Sequence, residues 1–220
     1  MNLDRSILIS AALQILDEVG LEGLTLRRLA TDLGVKAPAL YWHFKSKQEL
    51  LDEMATRVFL ESTRKLQVKA GLSWKKWMMR YGKGLRQILL SHRDGARMIS
   101  GTRITDVSLY DSMENSLQFL AGEGFSPRRS LLVMSTIYSY VIGFVIEEQA
   151  VLSAAKEPVN VYDPEVRAAR MDAEKYPLAI EAGKYLFQEY DRHFEDGLML
   201  IIDGFSAREK AKAKHKKAKA

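Results

Sequence analysis

Residues 25–51, TLRRLATDLGVKAPALYWHFKSKQELL, constrain the fold more than any other part of the chain. Thr25 is a suitable N-cap for a short helix over 26–33, which ends before a glycine. Pro38 suits the first turn of a second short helix over 37–43, because its missing N–H would be unpaired there in any case. Two short helices joined by a glycine-bearing turn are typical of a helix-turn-helix.

A longer helix is predicted on each side of this pair. Apolar residues at helical spacing predict a helix over 5–19, with Gly20 as its stop. After the pair, Ser46 and Glu49 form a capping box that starts a fourth helix. A small core is expected from the apolar residues of the two short helices, namely Leu26, Leu29, Ala30, Leu33, Val35 and Leu40.

Four ring residues, Tyr41 to Phe44, follow one another directly. Neighbours on a helix are rotated by about 100°, so the four cannot all face one core. A row of buried core side chains would explain Phe44 and part of Trp42, but it does not explain all four rings. We expect the remaining face to contact DNA, because the N-terminal part of the second helix of a helix-turn-helix reads base edges in the major groove.

The candidate DNA contacts follow from residue chemistry. Hydroxyl, imidazole and cationic donors can bind phosphates, and they are Thr25, Arg27, Arg28, Tyr41, His43 and Lys47. Pro38 and Ala39 can touch a thymine methyl group. Lys36, where the second helix begins, can reach either a base or a phosphate.

The net charge of +5 comes from the C-terminal end of the chain. Residues 208–220 carry seven Lys or Arg and one Glu, a net charge of +6, and the rest of the chain has a net charge of −1. A tail of this composition is predicted to be disordered. It is either a solubilising end or an additional, sequence-independent attraction to phosphate.

Several classes of protein are disfavoured by the composition. The chain has no cysteine, which excludes disulfides and thiolate metal sites. It has no basic leader and no apolar run of about 18 residues, so we expect a cytoplasmic protein without a membrane partner. Its four histidines are scattered, and it lacks a nucleophile elbow and a phosphate loop, so we expect neither an enzyme nor a cofactor.

The remainder of the chain also has helical periodicity. Helices are predicted over 74–91, 106–121, 127–152 and 178–205, and a loop with one short helix over 153–177. The long pair, 127–152 and 178–205, is predicted to form a four-helix interface with a second copy of the chain.

The motif LTLRRLATDLGVKAPALYWHFKSKQELL, above all its end, LYWHFKSKQELL, resembles the tetracycline repressor (TetR) family. The resemblance implies a three-helix DNA-binding head that is hinged through the fourth helix to an all-α body. That body would form the homodimer and hold an inducer pocket. The operator contacts that it implies are Thr25, Arg27, Ala37, Pro38, Ala39, Tyr41, Trp42, His43 and Lys47.

The body resembles the tetracycline repressors proper, in HRDGARM at 92–98, GTR at 101–103 and VIEEQ at 145–149. The position of their magnesium-binding histidine is Ile99 here, which offers no ligand atom for a hard cation. Three drug-contacting positions are also changed, and they are Thr63, Tyr81 and Ser116. A magnesium–tetracycline inducer is therefore not expected.

We expect instead a large, flat and mostly apolar inducer, such as an aromatic polyketide or a similar drug-like metabolite. Its hydroxyl-bearing and apolar contacts are predicted from the helices of the body and from the resemblance. The candidate ligand-binding residues are Thr63, Tyr81, Leu85, Ile99, Thr102, Arg103, Tyr110, Met113, Ser116, Leu117, Leu131, Met134, Tyr138 and Glu147.

The sequence thus predicts an all-α protein with a helix-turn-helix head over 1–46, a ligand-binding and dimerisation body over 47–207, and a basic tail over 208–220. The predicted function is a homodimeric repressor that binds a palindromic double-stranded operator and is released by a small-molecule inducer. Such a repressor would control an efflux or biosynthetic gene. The alternative is a DNA-binding or architectural protein that uses the basic tail without an inducer, and activation in place of repression also stays open.

Overall fold

The computed structural model describes residues 4–67, 71–155 and 157–217, without the side chains of 63–66 and 210–217. Every regular element in these ranges is a helix, which confirms the all-α prediction. The helices are α1 (Arg5–Gly23), α2 (Leu26–Asp32), α3 (Ala37–Tyr41), α4 (Lys47–Leu66), α5 (Trp74–Leu89), α6 (Gly95–Ile99), α7 (Leu109–Gly122), α8 (Pro127–Ala154), α9 (Pro164–Ala168), α10 (Pro177–Leu186) and α11 (Tyr190–Lys217).

The chain forms two compact units, Met1–Ile142 and Gly143–Ala220, and the boundary between them lies inside α8. These units do not follow the division predicted at residues 46 and 207. That division stays a prediction about function, because the first unit contains both the head and a large part of the predicted body.

The head, α1 to α3, is built as its capping residues predict. The Thr25 hydroxyl accepts a hydrogen bond from the Arg28 N–H at 3.0 Å and so caps α2. Gly20 breaks the helical conformation of α1 with φ of 76°, although the helix continues to Gly23 beyond the predicted end. Four members of the expected core are buried, and Leu33 and Val35 are half-buried.

The start of α4 departs from the predicted capping box in one bond. The Ser46 hydroxyl accepts from the Glu49 N–H at 3.2 Å, as expected. The Glu49 carboxylate, however, accepts from the N–H of Lys45 at 2.8 Å and not from that of Ser46. This backbone bond lowers the pKa of Glu49. Arg5 of α1 pairs with the same carboxylate at 2.9 Å, which ties the head to α4.

The body of the first unit has its core on α5. Trp77 is fully buried, and its ring lies 5.3 Å from that of Phe119 and 5.9 Å from that of Tyr81. The predicted helix over 106–121 begins later, at Leu109, because Asp106 accepts a hydrogen bond from the Ser108 N–H and closes a turn before it.

The second unit corrects two predictions. The helix expected over 178–205 is divided into α10 and α11 at residues 187–189, where Glu189 has a φ of 50°. The basic tail, expected to be disordered, continues α11 as far as Lys217. Its alanine, lysine and glutamate residues favour helix and no glycine or proline interrupts them, which explains the continuation. Residues 218–220 lie outside the described part.

α8 is the described helix that is long and apolar enough to cross a bilayer by length and composition, which the sequence analysis did not anticipate. One such helix is weak evidence for a membrane, because core helices of water-soluble proteins pass the same test. Of its most apolar window, 33% is buried within the chain.

Candidate functional site

The aromatic stretch of the head divides between core and surface. Phe44 is fully buried, whereas Trp42 is 90% exposed and Tyr41 is 56% exposed. His43 is half-buried between them. Burial of Phe44 fixes the backbone from which the two outward rings project. The α3 end therefore presents a rigid aromatic surface, as the argument from helical rotation predicted.

The smaller residues predicted to contact DNA lie along the same helix. Pro38 and Lys36 are exposed, and Ala37 and Ala39 are half-buried. Lys36 is the N-cap residue of α3, at the end of that helix where the backbone dipole is positive.

Two of the predicted phosphate donors already have partners within the protein. Arg28 pairs with Asp32 at 2.8 Å, and Lys47 donates to the Leu21 carbonyl oxygen at 2.6 Å. The Lys47 ammonium thus binds the end of α1 and holds it against the start of α4. Arg27 is exposed.

A set of polar contacts between residues 17–21 of α1 and residues 92–94 forms what we call the joint. Asp17 accepts a hydrogen bond from the Arg93 N–H at 2.9 Å, and its other oxygen lies 2.9 Å from His92 Nδ1. The Arg93 guanidinium donates to the Glu18 carbonyl oxygen at 2.8 Å. The sequence analysis did not predict this direct contact between 92–94 and α1.

The joint has a steric requirement for glycine at two positions. The Leu21 N–H donates to Asp94 Oδ2 at 2.9 Å, directly beside Gly20. A Cβ at Gly20 would lie 2.8 Å from that carboxylate oxygen, and the φ of 76° disfavours any other residue. A Cβ at Gly95 would lie 2.2 Å from the Leu89 carbonyl oxygen.

A cavity of about 620 Å³ opens in the first unit, among residues of α4, α5, α7 and α8. We call it the ligand cavity. Five predicted ligand residues line it, namely Tyr81, Met113, Ser116, Met134 and Tyr138. Six residues that sequence reasoning missed also line it, namely Phe59, Gln67, Ile104, Leu109, Ser112 and Asn115.

The other candidate ligand residues whose side chains the structure describes are not among those that line the cavity. Leu85 and Ile99 are buried in the core, and Tyr110 and Leu131 are more than half exposed. The Thr102 hydroxyl donates to the Ile99 carbonyl oxygen, and Arg103 is exposed. Leu117 is half-buried, Glu147 belongs to the second unit, and the Thr63 side chain lies outside the described residues.

Two phenols supply much of the polarity of the ligand cavity. Burial, with a smaller contribution from nearby Tyr138, raises the pKa of Tyr81 to about 12. Burial also raises the pKa of Tyr138. Both groups therefore stay protonated at physiological pH and are available as hydrogen-bond donors.

The wall of the ligand cavity is linked to α4 by a short loop. Ile104 lines the cavity, and its two neighbours in sequence are hydrogen-bonded to α4. The Arg103 N–H donates to Asp52 Oδ1 at 3.0 Å, and the Thr105 N–H donates to the Thr56 hydroxyl at 3.0 Å. A displacement of Ile104 would thus act on the helix that leads to the head.

No cluster of three or more His, Asp or Glu side chains that could hold a metal ion occurs in the part of the chain that the structure describes. Ile99, at the position where the resemblance places a magnesium-binding histidine, is 2% exposed and packs as an ordinary core residue.

Comparison with known families matches both parts of the chain. Residues 8–54 match the model for bacterial regulatory proteins of the tetR family, and residues 69–208 match the tetracyclin repressor-like C-terminal domain. The first match contains the whole aromatic stretch, and the second contains most of the ligand cavity.

Individual relatives cover nearly the whole chain. The class A tetracycline repressor protein from transposon 1721 of Escherichia coli is 38% identical over 205 residues, which are 91% of this chain and 89% of that protein. A solved possible TetR family transcriptional regulator from Streptomyces coelicolor A3(2) is 31% identical, with a TM-score of 0.79 over 93% of this chain and 99% of its own. A variant of TetR from Acinetobacter baumannii AYE, solved in complex with minocycline, is 33% identical, with a TM-score of 0.73 over 94% of this chain and 98% of its own.

Proposed function

This chain belongs to the tetR family of bacterial regulatory proteins, and we propose that it is a homodimeric repressor that releases a palindromic operator when an aromatic inducer binds. Membership of the family makes it a helix-turn-helix regulator of transcription and not an enzyme. The dimer, the operator, the kind of inducer and action in the cytoplasm are the proposed parts.

Operator binding rests on the exposed aromatic pair of α3. An indole that is 90% exposed is costly to leave in water, and it is held rigidly by the fully buried Phe44 two residues later. Rigid aromatic side chains lose little conformational entropy when a partner covers them. The position of Trp42 and Tyr41, at the end of the second helix of a helix-turn-helix, makes DNA that partner.

The homodimer is proposed from apolar surface that each unit leaves exposed. In the first unit, Leu131 and Leu132 of α8 are 53% and 55% exposed. In the second, Leu200 of α11 is 76% exposed and Met199 is 48% exposed. Exposed apolar surface of this kind marks interaction sites, and a second copy is the usual partner. Two heads would then read half-sites about 34–36 Å apart.

The inducer is proposed from the ligand cavity. Its volume of about 620 Å³ lies within the range of small-molecule sites, and aromatic or apolar side chains such as Phe59, Leu109 and Met134 form much of its wall. Methionine adapts to varied ligand shapes. A large aromatic metabolite or drug fits this wall, and an efflux or biosynthetic gene is the corresponding target. Magnesium–tetracycline is not expected, because Ile99 offers no ligand atom.

We propose that ligand binding in the cavity alters the position of the head through two sets of contacts. The loop around Ile104 is hydrogen-bonded to α4, and residues 92–94 are hydrogen-bonded to α1 through the joint. A ligand that favours one arrangement of these contacts would spread the heads. It must bind the spread state more tightly, and a 100-fold preference corresponds to about 2.7 kcal/mol of coupling.

A mobility shift on the DNA that flanks the protein's own gene tests this proposal. The assay is repeated with polycyclic aromatic metabolites and with magnesium–tetracycline. Release by an aromatic metabolite and not by tetracycline is expected. Release by tetracycline alone would contradict the inducer assignment. Equal binding to all DNA, with a steep salt dependence, would favour the inducer-independent alternative.

A further inference from the structure

Given the proposed function, we infer that the ligand cavity is selective for an uncharged aromatic ketone or quinone whose oxygens accept hydrogen bonds from the hydroxyls of Tyr81 and Tyr138. The inference concerns the charge and hydrogen-bonding pattern of the ligand. It therefore narrows the class of inducer beyond a large apolar molecule.

The wall of the ligand cavity has no charged residue among those described: its lining includes no Asp, Glu, Lys, Arg or His. A carboxylate or an ammonium group of a ligand would find no charged partner among these described residues, and burial of an unpaired charge is strongly unfavourable. An uncharged ligand avoids that cost.

The hydroxyls of Tyr81 and Tyr138 are protonated and free to donate a hydrogen bond to a ligand. Among the described residues, neither the Tyr81 nor the Tyr138 hydroxyl has a hydrogen-bond partner, although both residues line the cavity. A phenol that stays protonated is a permanent donor, and both tyrosines are half-buried at the cavity wall, so their hydroxyls can donate to a ligand that enters it. Ligand oxygens of the ketone or quinone type would satisfy both donors.

Most of the other polar side chains that line the cavity are either already hydrogen-bonded or closer to solvent. Ser116 is buried, and its hydroxyl already donates to the Ser112 carbonyl oxygen at 2.8 Å. Gln67 and Asn115 also line the cavity but are exposed, so their amides stand near solvent. The two phenols and the half-buried Ser112 are therefore the donor residues that a ligand meets further from solvent, and the amides suit polar substituents at the opening.

Tyr81 also has a fixed orientation. Its ring stacks on the fully buried ring of Trp77, with 5.9 Å between centroids. A donor that is held in one orientation fixes where the acceptor atom of the ligand must lie. Tyr81 is therefore expected to determine ligand specificity more strongly than Tyr138 does.

The experiment uses three anthraquinones that differ at one substituent: 2-(hydroxymethyl)anthraquinone, anthraquinone-2-carboxylate and 2-(aminomethyl)anthraquinone. Calorimetry on the full-length protein measures the affinity of each at neutral pH. The neutral compound is expected to bind at least 30-fold more tightly than either charged analogue. Equal affinities, tighter binding of a charged analogue, or no binding of the neutral compound would overturn the inference.

Variants then test the two donors. Tyr81→Phe is expected to lower the affinity for the neutral compound about tenfold, and Tyr138→Phe is expected to lower it several-fold, because each substitution removes one hydrogen bond. Tyr110→Phe is the matched control, since Tyr110 is 59% exposed and does not line the cavity. Unchanged affinity in both Tyr81→Phe and Tyr138→Phe would contradict the assignment.

Operator binding without ligand is measured on the same preparations. Loss of specific DNA binding would refute the proposed function, whereas the order of the three anthraquinone affinities concerns only the cavity. The two failures are therefore distinguishable.

Discussion

The proposed DNA-binding surface and the ligand cavity are assembled in opposite ways. The proposed DNA-binding surface comes from one continuous segment, 25–51, in which Phe44 is fully buried and Trp42, two residues earlier, is 90% exposed. The cavity is lined by residues from Phe59 to Tyr138 that four helices and a loop bring together. We therefore expect a substitution in the cavity wall to change ligand binding without changing the surface of α3.

The largest expected effect is on stability, and it should differ between the buried and the exposed residues of the aromatic stretch. Phe44→Ala removes a fully buried ring and should lower the free energy of unfolding by about 3–5 kcal/mol. Trp42→Ala, two residues earlier and 90% exposed, should change it by less than about 0.5 kcal/mol. Urea denaturation of both variants measures the difference. Equal losses would mean that Trp42 belongs to the core.

The second effect concerns operator affinity. Trp42→Ala should weaken binding to the operator by about 30-fold or more, because exposed tryptophans that become buried in an interface are typical hot spots. Tyr110→Ala serves as the control, since Tyr110 is also exposed but lies on α7, outside the head. A mobility shift on operator and on random DNA measures both. An unchanged affinity for Trp42→Ala would remove α3 from the interface.

The third effect tests the joint between the two regions. Gly20→Ala should push away the Asp94 carboxylate and weaken its hydrogen bond with Leu21, so that ligand binding reaches the head less effectively. The ratio of operator affinities without and with inducer should fall about tenfold, while operator binding without ligand persists.

A second glycine provides the control for that variant. A Cβ at Gly122 would meet no heavy atom within 4 Å, so Gly122→Ala should leave the ratio unchanged. If Gly20→Ala and Gly122→Ala respond to the inducer alike, the joint does not transmit the signal.

The smallest effect is expected from the basic end of the chain. Removal of residues 208–220 takes away a net charge of +6. Affinity for all DNA should fall several-fold at low salt, and the preference for the operator should stay the same. Titrations at several salt concentrations check this. Loss of operator preference on truncation would support the alternative in which the tail is the main DNA-binding element.

The two regions also differ in how far the sequence could predict them. Thr25, Pro38 and Ser46 act on neighbours a few residues away, so their capping roles and the helix-turn-helix were readable from spacing. The single misassigned bond, from Lys45 to the Glu49 carboxylate, differs from the prediction by one residue.

The cavity and the joint depend on contacts between residues far apart in the chain. Asp52 and Thr56 of α4 bind the two neighbours of Ile104, and no local pattern in the sequence marks such pairs. Leu85 and Ile99 were predicted to touch ligand, yet they face the core, since apolar residues at helical spacing look alike whether they line a cavity or fill one. Of the three tyrosines that were predicted to contact ligand, Tyr81 and Tyr138 line the cavity and Tyr110 does not.

The most direct test is the operator affinity of the protein with and without a ligand bound in the cavity. The ligand is 2-(hydroxymethyl)anthraquinone at saturating concentration, and fluorescence anisotropy of labelled operator measures the affinity. The account predicts that the ligand weakens operator binding by about 100-fold, in the range expected for coupled sites. The same operator affinity with the cavity filled and empty would contradict it.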